Sequence, residues 1–136
     1  MNWISRFCVL LYAAALLVIG GIGVFFAETE LTGVFSIDLD QLEVQNKSTI
    51  LNQYRFLKGI EFAVGVICIT HRKEIFSAIE PANAFLLVVF AGVFARSFSV
   101  LVDGTPSWPF LMFLAGELLV GVVVGFDVWR RRTAHA

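Results

Sequence analysis

Four stretches of this sequence are apolar for long enough to cross a lipid bilayer, yet charged residues stand inside them. A helix needs about 20 apolar residues to cross. The spacing predicts spans over residues 7–27, 53–70, 81–101 and 109–129. Hydrocarbon offers the backbone no hydrogen-bond partners, so a spanning segment must satisfy its own polar groups, as a helix does. The expected architecture is all-α: an integral membrane four-helix bundle in one domain, 1–136. With 58% hydrophobic residues, the chain is more apolar than the core of a water-soluble domain requires. Its first apolar run also exceeds the about 7–15 residues of a signal-peptide core, so a retained helix is expected rather than a cleaved leader.

Orientation follows from the loop charges. Arg6, Arg72, Lys73, Arg130, Arg131 and Arg132 fall on one side. Glu28, Glu30, Asp38, Asp40, Glu43 and Asp103 fall on the other, with Lys47 as the only base there. Basic loops stay on the cytoplasmic side, which puts both termini there. Trp3 and Trp129 would mark the inner interface, and Trp108 and Tyr54 the outer one. The outer loop, 29–52, alternates Phe35, Ile37 and Leu39 with Ser36, Asp38 and Asp40. That period of two reads as a short strand or cap over the bundle mouth, or as an irregular amphipathic loop resting on headgroups. Ser48 or Thr49 is the expected cap of the second span.

The two halves resemble each other. Glu61-Phe-Ala-Val-Gly65-Val66 matches Glu117-Leu-Leu-Val-Gly121-Val122. Gly23-Val-Phe-Phe-Ala27-Glu28 matches Gly92-Val-Phe-Ala95-Arg96 with one residue skipped. Corresponding spans run in the same direction, so the bundle reads as two parallel-repeat helix hairpins. Each glutamate has a glycine four residues on, about one turn along the same face. Gly121 and Gly125 form a small-residue step where a second helix can approach.

Six charges carry the functional expectation: Glu28, Arg55, Lys58, Glu61, Arg96 and Glu117. A charge inside a membrane normally faces a partner, a cavity or water. At about 1.5 Å per residue, Glu61 and Glu117 each lie about 12 Å below the outer boundary, and Arg96 about 8 Å. The six are read as belonging to the outer half, with the inner half left apolar. Their charges sum to zero. Lys58 is expected to snorkel toward the interface. One reading makes the cluster structural, with Arg55 and Arg96 clamping the acids. The other makes it a ligand pocket, where arginine suits a carboxylate or phosphate and paired glutamates act on protons.

Other chemistry finds no support. The net charge of −1 gives no reason to expect a nucleic-acid partner. Cys8 and Cys68 are far apart and read as packing residues, not as a metal-binding pair. His71 and His135 sit at cytoplasmic ends, away from the glutamates, and His71-Arg72-Lys73-Glu74 reads as a solvated loop. Asp103-Gly104-Thr105-Pro106 has the composition of a turn. No metal ligands and no cofactor are expected.

The runs Tyr54-Arg55-Phe56-Leu57-Lys58-Gly59 and Arg96-Ser97-Phe98-Ser99-Val100-Leu101-Val102-Asp103-Gly104-Thr105-Pro106-Ser107, with Gly116-Glu117-Leu118-Leu119, carry a likeness. They resemble an uncharacterised family, a domain of unknown function, of small bacterial four-span membrane proteins in the DoxX-like group. The resemblance covers nearly the whole chain. It implies a bacterial inner-membrane bundle and brings no activity with it.

Three functions remain in view. The first is a pocket in the outer half of the bilayer for a small or amphipathic ligand: a lipid, a quinone or a small acid. The second is an accessory subunit of a larger membrane complex, or a homo-oligomer, docking through Gly121 and Gly125. The third is an enzyme using a buried glutamate as acid or base.

Overall fold

The structure is a computed structural model, and it describes residues 1–134; His135 lies outside the described residues. Six α-helices and one 3-10 turn follow in order: α1 (Trp3–Phe25), α2 (Ala27–Gly33), the turn Leu39–Gln41, α3 (Val44–Thr70), α4 (Arg72–Ser77), α5 (Ile79–Asp103) and α6 (Trp108–Thr133). No strand occurs among the described residues.

Local chemistry explains most of the boundaries. Asn2 caps α1: its side-chain oxygen accepts from the Ser5 amide at 2.8 Å, satisfying one of the donors a helix start leaves open. Pro109 falls in the first positions of α6, where a missing N–H costs nothing. Pro81 falls in the first turn of α5. The chain leaves α5 through Gly104 at φ 96°, a backbone state that side chains resist.

Three helices, α1, α5 and α6, are long and apolar enough to cross a membrane. Their flanks show large apolar groups to the outside: Leu101 is 83% exposed, Leu87 73% and Phe94 72%. In water such a surface would be a liability; against acyl chains it costs nothing. The molecule is a membrane protein. Helix α3 has the length to cross, but Lys47, Arg55, Lys58 and Glu61 lower its apolar character.

Several expectations change. Helix α1 stops at Phe25 rather than continuing to 27, and α2 begins a new helical phase at Ala27. The outer loop is largely helical, and α3 starts at Val44, well before residue 53. Ser48 and Thr49 therefore sit inside α3, where the Thr49 hydroxyl donates back to the Gln45 carbonyl, and neither caps it. The alternation of Phe35, Ile37 and Leu39 is not realised as a strand. Leu31, Phe35 and Leu39 are buried at 3%, 5% and 1%, while Ile37 is 37% exposed. The working spacing is four residues, not two. His71 and Glu74 are solvated as expected, but residues 72–77 form a short helix rather than a loop.

The chain divides into two compact units, residues 13–67 and residues 1–12 with 68–136. In the first, α1 and α3 run antiparallel. Gly20 lies against the Phe62 amide and the Lys58 carbonyl, and Gly65 against Leu17 and the Ala13 carbonyl, so backbone meets backbone at both points. In the second, α5 and α6 form an antiparallel hairpin, with Gly121 against Phe90 and Val89 and Gly92 against Glu117. Helix α4 also packs on α5.

Candidate functional site

Within residues 13–67, Lys58 is the centre of a buried ionic group. Its ammonium is 3.0 Å from Glu61 Oε2 and 3.6 Å from Glu30 Oε1, and 5.2 Å from the centre of the Tyr54 ring. Lys58 is only 4% exposed, the most buried of the six charges expected to matter. The expected snorkelling does not occur. Gly23 explains why: a Cβ there would sit 2.5 Å from Lys58 Cγ and Cδ. The missing side chain is the groove in which the lysine stem lies.

Tyr54 also departs from expectation. Rather than anchoring at the outer interface, it turns inward. Its ring packs edge-on against Phe35, and its buried hydroxyl faces Glu30 without closing a well-formed hydrogen bond. Glu30 Oε2 closes none either. The Tyr54 hydroxyl is within electrostatic reach of Glu30 and Glu61.

Glu30, not Glu28, is therefore the acid of the first hairpin. Glu28 pairs at the surface with Lys47 at 2.7 Å, and Lys47 also holds Asp40 at 3.0 Å. Both contacts raise the pKa of the Lys47 ammonium above its ordinary value, the hydrogen bond it donates to Glu28 most. Arg55 is exposed and makes no ion pair among the described residues, so it clamps nothing.

In the second unit, Arg96 Nε donates to Glu117 Oε2 at 3.0 Å. The guanidinium also stands 5.8 Å from the centre of the Phe113 ring. Glu117 is nearly enclosed, with its side chain 10% exposed, while that of Arg96 is 27% exposed. Only Nε meets the carboxylate, so the terminal nitrogens of the fork are directed elsewhere. The Gly121 step is covered by Phe90 from the same chain. That occupies the face expected to receive a partner.

The proposed repeat has a structural counterpart inside each hairpin. The second helix presents a glutamate and, four residues later, a glycine that meets the first helix: Glu61 with Gly65, and Glu117 with Gly121. The first helix supplies a glycine beside a charged group, Gly23 against Lys58 and Gly92 against Glu117, but only Gly23 leaves space that a Cβ would fill.

One ionic group escaped the sequence reading. Asp127 lies on α6 toward the basic end and is 6% exposed. It sits 3.4 Å from Arg131 Nε, but the two are not aligned as a hydrogen bond, and both atoms lack such a partner. Asp127 Oδ1 accepts from the Asn2 amide at 3.2 Å. An isolated acid two residues before Trp129 is visible in the sequence, but the basic tail beside it makes it look solvated. The portion of α6 expected to be uncharged thus carries a buried carboxylate.

These features define an all-helical membrane protein with ion pairs built into antiparallel helix pairs. The chain belongs to the family described as Domain of unknown function (DUF4345), whose model matches residues 4–126. No curated protein and no solved structure shows a significant match to it.

Proposed function

We propose that this is a bacterial inner-membrane protein of the DoxX-like group, with four spans, both termini cytoplasmic, and charged ligand-binding groups in the outer half of the bilayer. Helix α3 is the fourth span in this reading, with Lys58 and Glu61 paired and Arg55 exposed near its outer end. The ligand is small or amphipathic, a lipid, a quinone or a small acid, with its apolar part in the membrane.

The observation that carries the reading is the Arg96–Glu117 pair. Glu117 engages a single nitrogen of the guanidinium, and the arginine side chain keeps 27% of its surface accessible. A purely structural pair gains most from the two-point fork geometry. Here the carboxylate orients the arginine by its inner edge, and the outer edge is left to meet a polar head. Lys58 and Glu61 form the corresponding group in the first hairpin. The cover over Gly121 counts against an accessory subunit docking by that face.

The test is native mass spectrometry of protein released from membranes without lipid exchange. Wild type should carry a reproducible small molecule, and Glu117→Gln should lose it while inserting and unfolding nearly as wild type does. If Glu117→Gln abolishes insertion, or wild type carries nothing, the pair is structural.

A further inference from the structure

The ionic group of the first hairpin is unbalanced. Lys58 and Glu61 already make a neutral pair at 3.0 Å. Glu30 adds a second carboxylate, with its side chain only 13% exposed. Its nearer oxygen is 3.6 Å from the ammonium. Its other oxygen faces the Tyr54 hydroxyl across a hydrogen bond that is not fully closed. A surplus buried charge with an incompletely formed hydrogen bond disfavours the arrangement. Of the two acids, Glu30 is the one more loosely held.

Glu30 sits on an element separate from the long helices. Helix α2 is short and begins after the break at Phe26. Its outer face is held through Glu28 and Lys47, and Lys47 also holds Asp40 in the following turn. These are surface ion pairs, weak and screened by salt. Drawing α2 outward would take the surplus carboxylate to water and leave a neutral Lys58–Glu61 pair. It would also free one N–H of Lys58 and the Tyr54 hydroxyl as donors.

What replaces Glu30 must accept hydrogen bonds without restoring the surplus charge. An anion would restore it, and an amine would face the Lys58 ammonium. We infer that Glu30 is an internal stand-in, and that the occupant it yields to is the carbonyl oxygen of an uncharged apolar molecule, a quinone or an acyl ester. This rests on the ligand-binding reading above and narrows it for residues 27–61.

The test titrates detergent-solubilised full-length protein with a short-chain alkyl benzoquinone and, separately, with a monoacylglycerol; decanoate and decylamine are the charged controls. A cap open in about a tenth of molecules weakens apparent affinity about tenfold. Glu30→Ala should therefore bind one of the carbonyl probes about tenfold more tightly, which also tells quinone from ester. Lys47→Ala should shift the same way by less, and serves if Glu30→Ala does not fold. Lys58→Met should abolish the binding, and neither charged control should gain. A gain for decanoate instead, or carbonyl binding indifferent to all three variants, overturns the inference. If that indifferent binding is lost in Arg96→Ala, the broader ligand reading survives alone. If no amphiphile binds any form, both readings fall.

Discussion

Gly23 and Lys58 are fitted to each other: a Cβ on the glycine would stand 2.5 Å from two carbons of the lysine stem and 2.8 Å from Glu30 Oε2. A lysine is buried here because the facing helix has no side chain at that point. Gly23→Ala should therefore cost about 1–3 kcal/mol, the usual range for overpacking. Measured against Lys58→Ala alone, Gly23→Ala should cost much less. Unfolding in mixed micelles reads both, and an unrelieved double variant would show that the glycine serves something else.

Glycines of this chain should divide by what they face. Gly20→Ala places its methyl 2.6 Å from the Phe62 amide and should destabilise, because backbone cannot step aside. Gly116→Ala meets nothing within 4 Å. It should stabilise the helix by about 0.5–1 kcal/mol, the ordinary difference between glycine and alanine in a helix interior. Equal effects from the two would contradict the α1–α3 crossing described here.

Removing one member of the Arg96–Glu117 pair should hurt more than removing both. Glu117→Ala leaves an unpaired guanidinium, a loss of up to about 3–5 kcal/mol for buried pairs and less here because the arginine is partly exposed. Arg96→Ala with Glu117→Ala together should recover part of it. A double-mutant cycle by denaturant unfolding gives the coupling directly; strict additivity would mean that the two side chains do not interact.

Alkali should loosen the 27–43 segment selectively. Folding raises the Lys47 pKa above its ordinary 10.5. A raised base contributes stability that is complete below the unfolded value and fades as pH climbs through the folded one. Amide exchange in α2 should thus depart from its normal pH dependence only above about pH 10.5. The Lys47→Ala variant should show the looser behaviour at neutral pH.

The helix pairs, the antiparallel crossings and the meeting of Arg96 with Glu117 were legible because they rest on long periodic segments. The errors share a different cause. The sequence points to Glu28 over Glu30 because the phase of α1 carries past Phe26, where the helix restarts. Lys58 was sent to the interface by a general rule that a single facing glycine overrides, and no local pattern announces that glycine's position. Residues 31, 35 and 39 hold the cap together at a spacing of four, but the intervening polar residues produced a convincing alternation. Asp127 was hidden by its neighbours: one acid beside three arginines looks like part of a wet tail.

The two glutamates differ in where their counter-ion comes from, and that bears on biogenesis. Glu61 has Lys58 three residues away on its own helix, so this glutamate can enter lipid already neutralised. Glu117 depends on Arg96 of the preceding helix. Helix α6 threaded alone would confront the acyl chains with a naked acid, and α5 with a naked base. Release of these last two segments together, as a preassembled couple, would spare each the cost of entering lipid unpaired.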